Sequence, residues 1–140
     1  MAKKRIAVID GQGGGVGKAL VEKIRSAFGG EVWLLGLGTN SIASSLMLKA
    51  GADEAATGEN AIVVNCPRVD IIMGAIGILS ANAMLGELTP AMARAIGESP
   101  ADKLLLPLNR CGLHVVGLPT TPLSTLLTQA TADLAALLKG

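Results

Sequence analysis

The stretch IAVIDGQGGGVGKAL, residues 6–20, constrains the fold of this chain more than any other part of the sequence. A short β-branched run ends at Asp10, and five of the next seven residues are glycine. Glycine loses more conformational freedom on folding than any other residue, so a cluster of this density needs a compensating role. The pattern predicts a buried strand, then a loop that approaches something closely, and then a helix.

Strand-like and helix-like patterns alternate along the rest of the chain. Strands are expected at residues 5–10, 32–37, 103–108, 114–118 and the first part of 69–79, with an ambiguous segment at 54–57. Helices are expected at residues 16–28, 41–49, 59–68, 90–97 and 122–139, although the IVV run inside 59–68 also fits a strand. Such alternation is typical of a parallel sheet with helices on both faces. We therefore predict an α/β fold of three layers, with a doubly wound, mainly parallel sheet of about five strands, in a single domain spanning residues 1–140.

Composition narrows the functional classes. Half of the residues are hydrophobic, 16% are charged and the net charge is +1, so no basic tract suggests a nucleic-acid partner. The longest apolar stretch, residues 71–81, is shorter than the roughly 20 residues of a membrane span. Two cysteines fit a reducing compartment, which predicts a cytoplasmic protein. The high apolar fraction and the amphipathic final segment suggest a homodimer.

Polar and glycine-rich residues collect after the predicted strands. They lie at residues 10–17, 38–41, 80–82 and 109–110. In doubly wound sheets, ligands bind beyond the carboxyl ends of the strands, at the point where the strand order reverses. The sequence therefore predicts a ligand site at this edge of the sheet.

The glycine loop only partly fits the dinucleotide-binding patterns. The strict Gly-x-Gly-x-x-Gly fingerprint fails, because Val16 stands at its third glycine. Gly11, Gly15 and Gly17 match the Gly-x-x-x-Gly-x-Gly spacing and resemble the cofactor loop of short-chain dehydrogenases. The catalysis of that family uses a tyrosine, and this chain contains none, so that mechanism is excluded.

The glycine loop can also be compared with the phosphate-binding loop of nucleoside triphosphatases. The run GGVGK, residues 14–18, resembles the variant found in ParA- and MinD-like ATPases. However, Ala19 replaces the hydroxyl residue that should bind magnesium, and Gln12 replaces the first glycine of the general form. We expect no ATP hydrolysis, while nucleotide binding stays open. The other alternative is a tight turn between strand and helix that binds nothing.

The residues after the second strand bear on the identity of the ligand. A site for NAD commonly has an acidic residue about 20 positions beyond the glycines, but this region reads GLGTNS. Thr39, Asn40 and Ser41 offer groups that can receive a 2′-phosphate, which favours NADP, or they simply start the next helix. NAD, NADP and other phosphate-bearing nucleotides thus remain candidates. The predicted binding residues are Asp10, Gly11, Gln12, Gly13, Gly14, Gly15, Val16, Gly17, Thr39, Asn40, Ser41, Asn82, Asn109 and Arg110.

Candidates for catalysis are weaker. Glu87 is the preferred general base, since carboxylates in clefts often have a raised pKa, and its segment ANAMLGELTP suggests a lid or a subunit contact. Glu59 either caps its helix or reaches the cleft as an acid or base. Arg110 either clamps a phosphate or lies on the surface. Cys111 and His114 supply too few ligands for zinc, so no metal site is predicted.

Five blocks of the sequence are distinctive: DGQGGG, LGTN, TGEN, NAMLGELTP and PLNRC. Together they resemble a family of short proteins from anaerobic bacteria that is described as a domain of unknown function. The resemblance implies a small Rossmann-like cytoplasmic protein and implies no reaction. Our leading hypothesis is a nucleotide- or dinucleotide-binding protein, either an NAD(P)-dependent oxidoreductase or a cofactor-binding subunit. The alternatives are a non-catalytic nucleotide-sensing or assembly module and a structural protein without a ligand.

Overall fold

A computed structural model describes residues 2–108 and 112–140 of the chain. Strands and helices alternate through these residues. The strands are β1 (Arg5–Asp10), β2 (Trp33–Gly38), β3 (Glu54–Thr57), β4 (Ile71–Ala75) and β5 (Asp102–Leu106). The α-helices are α1 (Gly15–Phe28), α2 (Ser41–Ala50), α3 (Glu59–Asn65), α4 (Pro90–Glu98) and α5 (Leu123–Lys139). Short 3₁₀ turns lie at Gly29–Glu31, Cys66–Arg68 and Ile76–Leu79.

The strands form one sheet in the order β3-β2-β1-β4-β5, and every pairing is parallel. The chain builds outward from β1 in one direction and then returns to build from its other side, which confirms the predicted doubly wound, Rossmann-like α/β fold. The reversal falls between β1 and β4. Asp10 is level with Gly38 at the end of β2, and Gly38 is level with Thr57 at the end of β3, so these three strands end along one edge.

Two apolar cores sandwich the sheet and make the predicted three layers. On one face, Val8 of β1 packs with Leu20 of α1 and Leu134 of α5. On the other face, Ile9 of β1 packs with Ile62 of α3 and Ile96 of α4. Successive residues of β1 therefore serve opposite cores, because side chains alternate across a strand. Burial on both faces explains why this strand is a continuous apolar run rather than an alternating one.

Most element boundaries agree with the sequence prediction, and the helix starts have visible causes. The Oδ1 atom of Asn40 accepts a hydrogen bond from the Ala43 amide at 2.9 Å, which caps α2. Thr89 caps α4 in the same way through the Met92 amide at 3.2 Å, and Pro90 follows at the first helical position. The ambiguous segment at 54–57 is a strand, and residues 59–65 are helical.

The strand predicted over residues 114–118 is wrong. This segment forms turns, with the Leu118 amide donating to the Val115 carbonyl at 3.3 Å. Gly117 has a φ of +86°, which breaks an extended run, and the Val116 side chain is 97% exposed. The β-branched pattern was therefore misleading, because these apolar side chains face solvent instead of a partner strand. Asn109 and Arg110, which we predicted to bind the ligand, lie outside the described residues, as does Cys111.

Candidate functional site

A cavity of about 330 Å³ opens where the strand order reverses. The loop between β1 and α1 forms one wall, and Ala75 and Gly77 at the end of β4 form another. Met84, Leu108 and Leu123 supply apolar surface from three later segments. Its volume falls within the range of small-molecule sites, and its position is where doubly wound sheets bind ligands.

Three glycines of the loop are required by internal packing. A Cβ atom on Gly14 would lie 2.9 Å from the Ala43 Cα atom, and the φ of Gly14 is +75°. A Cβ atom on Gly17 would lie 2.8 Å from the Asp10 Cβ atom. On Gly11 it would collide with the Thr39 hydroxyl and come within 2.7 Å of the Met84 sulfur. These glycines allow the loop to pack against α2 and the segment after β4, whether or not a ligand binds.

Gly13 and Gly15 have no such explanation. A Cβ atom on either residue would meet no other atom within 4 Å, and neither has a positive φ. Both line the cavity. Nothing in the fold itself therefore requires glycine at these two positions, whereas a ligand that approaches the backbone closely would require it.

The backbone amides of the loop also form two groups: those that donate within the protein and those that have no acceptor among the described residues. The Gly11 and Gly17 amides donate to Asp10, at 2.8 and 2.6 Å, and the Gln12 amide donates to Glu87 at 2.9 Å. The Gly14 amide closes a turn onto the Gly11 carbonyl at 3.0 Å. In the part of the chain that the structure describes, the amides of Gly13, Gly15 and Val16 meet no acceptor. They stand at the amino end of α1, where the helix dipole favours an anion.

Asp10 organises the loop from within. Its side chain is only 7% exposed, and its two carboxylate oxygens accept the Gly11 and Gly17 amides separately. Since Gly17 lies in the first turn of α1, the carboxylate serves as a cap for a helix whose N-cap residue, Gly14, has no side chain. The sequence suggested that Asp10 contacts a cofactor; in the structure its carboxylate holds the loop in shape.

Glu87 fastens the segment after β4 to the glycine loop. Its Oε1 atom accepts three hydrogen bonds, from the Gln12 amide at 2.9 Å and from the Thr39 hydroxyl and Asn40 amide group at 2.8 Å each. These bonds stabilise the ionised form and hold the pKa of Glu87 below its ordinary value, with the Gln12 amide contributing most. The expected rise in the pKa of Glu87 is therefore wrong, while its role as a general base stays a prediction.

The segment from Ser80 to Leu88 has an unusual backbone. Asn82, Met84 and Leu85 all have positive φ, although none is glycine. The Met84 side chain lies against Gly11 and the cavity, while Leu85 is 99% exposed. Asn82 is exposed and closes the segment through its amide, which donates to the Leu88 carbonyl at 2.7 Å. The prediction that this segment is a lid or a subunit contact stays a prediction.

Outside the cavity lie the predicted residues Ser41 and Glu59, together with Lys18 and Cys66. Ser41 is exposed at the first position of α2. Glu59 accepts a hydrogen bond from the Thr89 hydroxyl at 2.6 Å and so links α3 to the start of α4. Lys18 points to solvent and lies 3.8 Å from Glu22. Burial raises the pKa of the Cys66 thiol to about 11, as expected for an unreactive core cysteine.

The apolar walls of the cavity were not predicted from the sequence. Leu108 follows β5 after Pro107, and Leu123 begins α5. In the sequence, Leu108 fits a strand pattern and Leu123 fits a helical pattern. Neither could therefore be distinguished from an ordinary core residue. The available signal was topological, since residues that follow a strand of a parallel sheet all reach the same edge.

Residues 2–108 and 112–140 contain neither a metal-binding cluster nor a membrane-spanning helix. No cluster of three or more His, Cys, Asp or Glu side chains there has the arrangement needed to hold a metal ion. Over the same residues, no helix has the length and apolarity needed to cross a bilayer.

Fold and loop together define a Rossmann-like α/β protein with a glycine-rich loop at the switch point of its sheet. The chain belongs to the family described as a domain of unknown function, DUF3842, whose model matches residues 5–139. No curated protein sequence matches this chain.

Two solved structures superpose on the chain. A universal stress protein in complex with cAMP gives a TM-score of 0.43 at 19% identity, covering 76% of this chain and 98% of that one. A nucleoside-diphosphate-sugar epimerase from Pseudomonas aeruginosa gives a TM-score of 0.47 at 18% identity, over 97% of this chain. The chain spans about half of that epimerase, 47% of its length. At these values, the superpositions say nothing about a ligand or a reaction.

Proposed function

We propose that this protein binds a nucleotide or dinucleotide, with a phosphate group on the amides of Gly13, Gly15 and Val16. The observation that carries the proposal is the pair of glycines that the fold does not need, Gly13 and Gly15, beside amides without an acceptor in the described chain. A phosphate placed there would meet the amino end of a 14-residue helix. The adjoining apolar wall suits a base or a nicotinamide ring.

Within this proposal, the chain supplies the binding half of a site. Of the described residues that line the cavity, only Asp10 is ionisable, and its carboxylate already accepts two loop amides. This favours a nucleotide-sensing module, or a cofactor-binding subunit whose reactive groups come from a partner or a second copy. An NAD(P)-dependent oxidoreductase is the catalytic form of the same proposal. Homodimer formation, which analytical ultracentrifugation can measure, stays a prediction.

The test is thermal unfolding of the full chain with millimolar NAD, NADP, ATP, GTP or coenzyme A. A ligand that binds only the folded state raises the melting temperature by mass action. We expect Gly13→Ala to abolish the shift, because its Cβ would stand where the phosphate approaches, without changing the melting temperature of the free protein.

Gly30→Ala is the matched control. Gly30 also has open space around its Cβ position and no positive φ, but it lies beyond the far end of α1. We expect this variant to keep the shift. No shift of the wild type with any compound, or an undiminished shift of Gly13→Ala, would contradict the proposal.

A further inference from the structure

The end of β2 lacks an acidic residue in the sequence but has a carboxylate beside it in the structure. Thr39 and Asn40 follow β2, at the place where NAD sites commonly carry the acidic residue that binds the ribose. Glu87 lies 2.8 Å from both of their side chains, although it comes from the segment after β4, almost 50 positions later (48 from Thr39). Thr39 and Asn40 therefore donate to a carboxylate, so they are not arranged to receive a 2′-phosphate.

The orientation of this carboxylate leaves one oxygen for a ligand. Oε1 takes all three hydrogen bonds, which hold that oxygen in place, whereas Oε2 receives no donor from the described residues. Glu87 remains partly exposed, so Oε2 is not sealed inside the protein. An ionised carboxylate only accepts hydrogen bonds, so its ligand partner must be a donor. A ribose hydroxyl is such a donor.

The charge around Glu87 points the same way. Its three donors are all uncharged. Ion pairs within the described residues join Lys18 to Glu22, Arg25 to Asp53 and Arg94 to Glu98, and none includes Glu87. A phosphate brought to Oε2 would offer only acceptors and more negative charge beside a carboxylate that no cation among the described residues neutralises.

Two adjacent residues of the loop lie beside the proposed ribose and phosphate positions of a single nucleotide. Gln12 presents its amide to Glu87, and the next residue, Gly13, presents an amide with no acceptor in the described chain. The sugar hydroxyls and the 5′-phosphate of a nucleotide are likewise neighbouring groups. A nucleotide whose phosphate sits on the Gly13 amide would therefore have its ribose beside Gln12 and could reach Glu87, which adjoins the cavity without lining it.

We propose that Glu87 is a specificity-determining residue that selects nucleotides with a free 2′-hydroxyl and rejects those with a 2′-phosphate. This inference rests on the proposed function and specifies its ligand class: NAD or a simple nucleotide rather than NADP. It removes the 2′-phosphate alternative that the sequence left open at Thr39 and Asn40, because Glu87 already uses their donors.

The experiment compares two probes that share adenine and a 5′-phosphate: 5′-AMP and adenosine 2′,5′-bisphosphate. Calorimetric titration of the full-length protein at one ionic strength should show 5′-AMP binding at least about tenfold more tightly. Equal binding of the two probes, or tighter binding of the bisphosphate, overturns this inference and leaves the proposed function standing. Binding of neither probe by the wild type overturns this inference, and the thermal-shift panel then decides the proposed function separately.

Glu87→Gln then tests the residue itself. The amide oxygen can keep the Oε1 contacts while the charge is lost, so the preference should fall to about threefold or less. Glu98→Gln is the control, since it removes the same charge at the end of α4, which leads into the opposite edge of the sheet. A preference unchanged in Glu87→Gln overturns the inference. So does equal tightening of both probes, which would mean that Glu87 only holds the segment closed.

Discussion

The glycine loop contains two kinds of glycine that the sequence presents as one cluster. Gly11, Gly14 and Gly17 are surrounded closely enough that any side chain would collide with Thr39, Ala43 or Asp10. Gly13 and Gly15 lie between them in the chain and face open space. The difference teaches that glycine density alone does not indicate a ligand. The first kind serves the fold, and only the second kind calls for something outside it.

The largest effect is expected at Gly14. Gly14→Ala combines a positive φ with a Cβ that lies 2.9 Å from backbone, which cannot move as a side chain can. We expect the free energy of unfolding to fall by about 3 kcal/mol, from backbone strain and overpacking together. Urea unfolding measures it. A loss under about 0.5 kcal/mol would show that the two kinds of glycine are not distinct.

Asp10→Ala should come next. It removes the acceptor of the Gly11 and Gly17 amides and leaves both donors in a buried place. We expect a loss of about 2 kcal/mol in the free energy of unfolding. Asp10→Asn retains one acceptor atom and should lose less. An Asp10→Ala protein as stable as the wild type would mean that the loop does not depend on this internal cap.

Gly15→Ala should affect binding without harming the fold. Gly15 is the first residue of α1, and alanine is favoured over glycine in helices, so stability should stay equal or rise by up to about 1 kcal/mol. We expect the nucleotide-induced thermal shift to disappear all the same. A stable variant that binds as the wild type does would remove Gly15 from the proposed site.

The sequence predicted the features that depend on local patterns. It missed those that depend on contacts between residues far apart in the chain. The alternation of apolar runs with helical patterns is local, and it predicted the sheet, its parallel strands and the start of α2 at Thr39, Asn40 or Ser41. The contact between Glu87 and the glycine loop joins residues 75 positions apart, and no local pattern carries it. The same limit explains why the donors Thr39 and Asn40 suggested a phosphate, when their acceptor was a side chain of the protein.

The smallest expected effect is on the pH dependence of stability, through the carboxylate of Glu87 that binds the glycine loop. The pKa of Glu87 is lowered in the folded protein, so its stabilising contribution is complete above the ordinary glutamate pKa of about 4.3. That contribution is lost as the pH falls through the lower, folded value. Because the side chain is partly exposed, solvent screens the effect and we expect it to be well under 1 kcal/mol.

Urea midpoints at pH 7 and pH 3 should therefore differ slightly less for Glu87→Gln than for the wild type. Glu98→Gln removes a carboxylate that only pairs with exposed Arg94 on the same helix, so it should leave the difference nearly unchanged. If Glu87→Gln is as acid-sensitive as the wild type, the three hydrogen bonds on Oε1 do not hold in solution. The segment after β4 would then be free to leave the glycine loop, and the orientation that supports ribose selection would be lost with it.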